Sequence, residues 1–254
     1  MPELNLSGAV AVVTGASRSI GRAVSVALAE AGATVALVGR DTRALDAVSR
    51  EISAVPASKP ALPVPCDVSD VAAVESAIGH CAKAIGTPDI LVANAGIFQQ
   101  WMPSEDLPLD EWDQVMAVDL RGLLACCRAA GRLMLERGSG CIVTVSSIAG
   151  VESLPRMAAY NAAKAGVVSL TKTLAVEWAG RGVRVNCVVP GYIERDVEPL
   201  KDDQATFRDI QEQTPLGRFG RPREVAMAVL YLASDMSSFV VGSTLVVDGG
   251  WTAA

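Results

Sequence analysis

The 254-residue chain has a single histidine, His80, and six cysteines with no CxxC spacing among them. Zinc sites draw on grouped Cys and His ligands, and these residues are too scattered to supply one. No metal is expected. Cys66, Cys81, Cys126, Cys127, Cys141 and Cys187 read instead as reduced, mostly buried thiols of a cytoplasmic protein. Basic residues are in deficit, 22 Lys and Arg against 28 Asp and Glu, for a net charge of −6. A nucleic-acid surface needs the opposite balance, so no such partner is expected. No run of 18 apolar residues occurs, which argues against a membrane span. The opening MPELNLSGAVAVVTGAS has neither a basic lead nor a cleavable apolar stretch, which argues against a signal peptide. Aromatic residues make up only 4% of the chain while half of it is hydrophobic, so the core must rest on Ala, Val, Leu and Ile.

What is present is a rhythm. Short apolar runs at Ala9–Thr14, Thr34–Val38, Ala61–Cys66, Asp89–Ala93, Cys141–Ser146, Val183–Val189 and Ser243–Asp248 are separated by longer helix-like stretches. Their Val and Ile are nearly continuous rather than alternating, as in strands buried on both faces. The stretch Ser19–Gly32 reads as a helix that stops at its glycine. Strand–helix alternation of this kind predicts an α/β fold: a doubly wound parallel sheet of about seven strands, helices on both faces. With no linker or break in composition, residues 1–254 are expected to form one domain. Pro63 and Pro65 predict a short or irregular third strand. The charged stretch from Tyr192 to Pro215 is expected to be a substrate loop.

VVTGASRSIGRAV follows the first strand and opens the first helix, the context of a dinucleotide site. Gly15 permits the sharp turn and Gly21 close helix packing, with Ser17, Arg18, Ser19 and Ile20 between them. The helix N-terminus then presents its amides to a pyrophosphate. The spacing is T-G-x-x-x-S-x-G rather than G-x-G-x-x-G. After the second strand, Gly39 has no carboxylate to repel phosphate, and Arg40 and Arg18 are placed to clasp a ribose 2′-phosphate. Asp41, 20 residues after Gly21, argues for NAD unless it caps the next helix. Taken as a cap, it leaves NADP as the expected cofactor and NAD as the alternative.

In YNAAK, Tyr160 and Lys164 stand about one helical turn apart and share a face. An ammonium about 5 Å from a phenol, at an effective dielectric of about 20, is worth roughly 3.3 kcal/mol. That is enough to bring a phenol from its ordinary range toward neutrality, where a general acid/base works well.

TGASRSIG, CDV, ANAG, SSIAG, YNAAK, VVPGYI and VVDGGW occur in that order. Together they resemble the short-chain dehydrogenase/reductase family over almost the whole chain, in particular members that reduce 3-oxoacyl carriers and sugar dehydrogenases. The resemblance implies a Rossmann-type fold and an NAD(P)-dependent oxidoreductase that transfers a hydride between a nicotinamide and a carbonyl or secondary alcohol. It makes Tyr160 the general acid/base and Lys164 the group that lowers its pKa and holds the ribose. Ser147, 13 residues before Tyr160, becomes the hydrogen-bond donor to the reacting oxygen, and Ser146 a neighbour without a role. Asp67 and Val68 fall near the adenine. Asn94, with Ala95 and Gly96, falls behind the cofactor, and Pro190, Gly191 and Ile193 by the carboxamide.

Three positions depart from the family pattern. Asp119 replaces an asparagine that helps hold a water beside the lysine, and a carboxylate there would raise the tyrosine pKa. Ala93 replaces a further asparagine, and Arg195 a threonine. The pocket is expected to draw on Ile97, Gln99, Trp101, Glu152, Leu154 and Tyr192, which suits a small ketone or polyol, or a 3-oxoacyl thioester. Relatives imply a homotetramer, or a dimer, pairing through the helices that carry EWDQVMAVDLRGLLACC and YNAAKAGVVSLTKTLA and through the last strand. The alternative is a catalytically weak dinucleotide-binding sensor of the same fold.

Overall fold

The strands are continuous runs of Val, Leu, Ile and Ala because helices cover the sheet from both sides. The computed structural model describes residues 4–194 and 204–254. Its strands are β1 (Val10–Thr14), β2 (Thr34–Gly39), β3 (Leu62–Pro65), β4 (Ile90–Ala93), β5 (Gly140–Val145), β6 (Val183–Pro190) and β7 (Thr244–Val247). They form one sheet in the order β3-β2-β1-β4-β5-β6-β7, and every pairing is parallel. The order reverses between β1 and β4, which opens a crevice at their carboxyl ends.

Helices α1 (Ser19–Glu30), α2 (Thr42–Ser53), α3 (Val71–Ile85), α4 (Leu109–Met116), α5 (Leu123–Arg137), α6 (Ala158–Trp178), α7 (Gln204–Gln213) and α8 (Pro222–Ala233) connect the strands. One core lies under α1, α2 and α8, built from residues such as Leu28, Leu45, Leu37 and Val225. The other lies under α3, α5 and α6, around Val74, Met134, Ile142 and Val167. The end of α1 is set by Gly32, whose positive φ of 97° lets the chain turn into β2.

Strand positions match the sequence reading to within a residue at most ends. β3 is short and pairs only with β2, so its prolines sit on a sheet edge where a missing donor is tolerated. The stretch 192–215 departs from a simple loop: Ile193 forms a bridge to Gly220, and Gln204–Gln213 is helical. Arg195 lies outside the described residues. All six cysteines are free and buried. Burial pushes Cys81 and Cys141 up to about 11 and Cys126 up to about 12, so these thiols stay protonated and unreactive. Among the described residues no helix is long and apolar enough to cross a membrane.

Candidate active site

The glycine turn sits at the end of β1. Gly15 has φ +65°, and a Cβ there would meet Asn94 Nδ2 at 2.8 Å and Ala95 Cα at 2.9 Å. A Cβ on Gly21 would run into the Gly15 carbonyl oxygen. Both glycines therefore hold β1, α1 and the loop after β4 at contact distance. Asn94 ties this together: its Nδ2 donates to Thr14 O at 2.9 Å and to Gly15 O at 3.3 Å. The Asn94 and Ala95 amides both donate to Thr14 Oγ1 at 3.0 Å. Thr14, which the sequence reading passed over, is thus the second half of that brace. Arg18, at the cap position of α1, provides no side-chain cap, so the helix brings no anion of its own to its N-terminus. Ser19 adopts φ +46°, a left-handed conformation unusual for a residue with a side chain. Backbone held this close, leading into an uncapped helix start, fits the pyrophosphate of a dinucleotide.

At the adenine end, Asp41 Oδ1 accepts from Ala44 N at 3.0 Å. Asp41 is the cap of α2, as its position suggested. Arg40 Nη1 lies 3.9 Å from Asp67 Oδ2, with both side chains largely exposed. The amide and hydroxyl of Ser69 hold Asp67 Oδ1 at 2.9 and 2.8 Å and keep its carboxyl below the usual range. Val68 is buried, and its carbonyl packs so tightly on Gly122 that a Cβ there would approach to 2.5 Å.

Helix α6 carries Tyr160 and Lys164, and its start is held from outside. Met157, at the cap position, offers no side-chain bond. Gln99, from the loop after β4, supplies it: Oε1 accepts from Tyr160 N at 3.0 Å, and Nε2 donates to Arg156 O at 3.3 Å. Gln99 is 6% exposed. Both ends of its amide are engaged in seating the helix. The Tyr160 ring is buried and stacks on Phe98 at 4.6 Å between centroids. Lys164 Nζ lies 5.4 Å from that ring's centroid, so the two side chains do share a face.

Ser146 also gains a role. Its buried Oγ donates to Lys164 O at 2.8 Å, pinning α6 to the end of β5. Ser147 follows at the head of a short 3-10 turn (Ile148–Gly150), its Oγ accepting from Ala149 N at 3.2 Å. That turn packs on the α6 backbone: a Cβ on Gly150 would lie 2.6 Å from Lys164 O.

Asp119 occupies a single π-helical turn (Ala117–Gly122) between α4 and α5. Its carboxylate meets the lysine directly, with Lys164 Nζ 3.1 Å from Asp119 Oδ2. Oδ1 accepts from Ile97 N at 2.8 Å. Burial pushes the Asp119 carboxyl up, and Lys164 offsets this only in part. Burial also works against the Lys164 ammonium, but Asp119 and Tyr160 more than offset it and hold it above the ordinary lysine value.

Beyond the 3-10 turn, Glu152 Oε2 accepts from Trp251 Nε1 at 3.1 Å. Tyr192 sets its ring edge-on to Trp251 at 4.8 Å. Burial, then Glu152, raises the Tyr192 phenol. Trp251 completes this cluster and was not singled out from the sequence, although it ends the VVDGGW motif. Trp101 is exposed and donates from Nε1 to Pro155 O at 2.9 Å. Pro190 closes β6, and Gly191 N donates to Val247 O at 3.0 Å.

A family model described as enoyl-(acyl carrier protein) reductase matches residues 15–252. D-threitol dehydrogenase from Mycolicibacterium smegmatis is 38% identical over 250 residues, covering 98% of this chain and 95% of that protein. A solved short-chain type dehydrogenase/reductase from Mycobacterium marinum superposes with a TM-score of 0.92 at 41% identity, covering 99% and 98% of the two chains. A gluconate 5-dehydrogenase from Burkholderia cenocepacia, solved with NADP and tartrate, gives a TM-score of 0.92 at 36% identity, covering 99% and 98%. With its seven-stranded parallel sheet, glycine turn and buried Tyr–Lys pair, the chain belongs to the short-chain dehydrogenase/reductase family. It is an NAD(P)-dependent oxidoreductase.

Proposed function

We propose that the protein interconverts a secondary alcohol and a ketone on a small polyhydroxylated molecule, with NADP as the preferred cofactor and NAD as the alternative. The observation that carries the reading is the Tyr160–Lys164 pair: a buried phenol with an ammonium 5.4 Å from its ring, on a helix seated by three other elements. Tyr160 is the general acid/base at the reacting oxygen. Lys164 makes its hydroxyl readier to exchange a proton and holds the nicotinamide ribose. Ser147 hydrogen-bonds the same oxygen. The nicotinamide, when bound, supplies the hydride-transfer chemistry. Gly15, Ser17, Ser19, Ile20 and Gly21 form the pyrophosphate cradle, and Asn94, Ala95 and Gly96 the floor behind it. Asp67 and Val68 flank the adenine, and Pro190, Gly191 and Ile193 the carboxamide. Arg18 and Arg40 meet the 2′-phosphate. Asp41 does not compete for the ribose, because its carboxylate is committed to capping α2.

The substrate class follows from Glu152, Tyr192 and Trp251. A carboxylate acceptor beside an indole and a phenol is the chemistry that binds hydroxyl-rich carbon chains, with apolar rings against C–H faces and oxygen against O–H groups. D-threitol and gluconate, named for two of the relatives, belong to that class. A 3-oxoacyl thioester is the second reading, favoured by the description of the matched family model. We also assign a homotetramer, in which a second copy covers the open groove of about 1110 Å³ between α4, the π turn and α6, lined by Met116, Leu120, Leu124, Gly166 and Leu170. The six buried free thiols suit a cytoplasmic setting. The test is nucleotide titration with NADPH and NADH, followed by oxidation of a tetritol–hexitol panel and reduction of ketoses and an acetoacetyl thioester. Turnover confined to polyols and ketoses supports the first reading; turnover confined to the thioester replaces it with the second.

A further inference from the structure

We propose that Asp119 is a positioning residue that sets the pH range in which Tyr160 works, through its direct charge contact with Lys164. The inference rests on the Tyr160 reading above. The geometry selects a carboxylate. One oxygen accepts from the Ile97 amide at 2.8 Å while the other faces the Lys164 ammonium at 3.1 Å. A carboxamide of the same shape has one acceptor, and either orientation would turn its NH2 toward a donor. Gly96 closes over the pair: a Cβ there would stand 2.8 Å from Asp119 Oδ2 and 3.2 Å from Lys164 Nζ. With Lys164 4% exposed and Asp119 not exposed at all, little water screens the two charges.

The groups facing the ammonium are Asp119 from the π turn, Tyr160 from α6 itself and Cys187 from β6, with the Val145 carbonyl at 3.4 Å. Burial keeps the Cys187 thiol protonated and neutral. Lys164 is the charged group that faces Asp119. The field that Lys164 projects onto the phenol is therefore partly cancelled by the carboxylate behind it, and Tyr160 holds its proton more tightly than an uncancelled lysine would allow. The two reaction directions respond in opposite senses. Carbonyl reduction needs the protonated phenol, so its activity extends to higher pH. Alcohol oxidation needs the phenolate, so its onset moves to higher pH as well.

The experiment compares kcat/KM against pH, in both directions, for the wild type and Asp119→Asn. In the variant the descending limb of reduction and the ascending limb of oxidation should both move down by about 1–2 pH units. Reduction then falls at alkaline pH while oxidation rises near neutrality. Lower rates at every pH with both limbs in place would mean a structural role only and would overturn the proposal. Should the variant not fold, the wild type decides it: phenolate absorbance, taken as the difference from Tyr160→Phe, should titrate in the alkaline range, and a near-neutral midpoint contradicts the cancellation. A fully active Tyr160→Phe would instead remove the Tyr160 reading, an outcome distinct from limbs that stay in place.

Discussion

Replacing Gln99 with leucine should loosen the catalytic helix without touching any residue assigned to the chemistry. The Gln99 side chain does two things: it accepts the Tyr160 amide proton at 3.0 Å and donates to Arg156 O at 3.3 Å. Leucine is of similar size but does neither. Met157 offers no side-chain cap, so leucine at position 99 removes the side-chain acceptor that the Tyr160 N–H uses at 3.0 Å. A buried donor left without a partner costs about 1–3 kcal/mol. The Arg156 carbonyl keeps the Met102 amide as a donor at 3.4 Å, so it adds little. A loss of about 2 kcal/mol follows, equivalent to roughly 4–8 °C in Tm for a chain of this size. Urea unfolding at unchanged m is the assay for stability. Steady-state kinetics should show kcat falling by about tenfold or more with a smaller change in KM, because a displaced phenol harms the transition state more than the bound substrate. Gln99→Glu keeps the acceptor and places negative charge at a helix N-terminus, so it should retain most of the stability, within about 1 kcal/mol. A leucine variant within about 0.5 kcal/mol of the wild type and with normal kcat, or a glutamate variant as damaged as leucine, would refute this reasoning.

Arg40→Ala should weaken NADPH binding by about tenfold while leaving NADH within about twofold, measured by nucleotide fluorescence; equal losses for both would show that Arg40 does not read the 2′-phosphate. Glu224 accepts from the Arg221 amide at 2.7 Å and pairs with Arg218, and the Arg218 guanidinium above all holds its carboxyl down at about 2. A carboxyl held low in the folded state contributes stability above its ordinary value of 4.5 and loses it as pH falls toward about 2. Glu224→Gln should therefore lower stability at neutral pH by less than about 1 kcal/mol, since both partners are well exposed, with the gap closing between those two pH values. A gap that is constant or widens on acidification would contradict this.

The sheet was legible because strands covered on both faces write an unbroken apolar signature, and Pro63 and Pro65 marked the third strand as short, though not as an edge. Tyr160 and Lys164 were legible because helical periodicity alone places them on one face. What escaped the sequence is tertiary. Gln99 lies 61 residues from the amide it caps, and Glu152 lies 99 from its partner Trp251. No local pattern links such residues. The polarity of Gln99 is visible in the sequence, but its burial and its cap on α6 are not. The direct Asp119–Lys164 contact depends on a π turn, which leaves no periodic trace of its own. Helix α7 was hidden by a polar composition that resembles a loop.

The central claim is that Tyr160, tuned by Lys164, exchanges the proton at the reacting oxygen. Its most direct test is the rate of NADPH-dependent reduction by Tyr160→Phe, alongside the nucleotide Kd of the same preparation. The account predicts a rate lower by about a thousandfold or more, with the Kd unchanged within about threefold. A variant that turns over near the wild-type rate while binding nucleotide normally would contradict it.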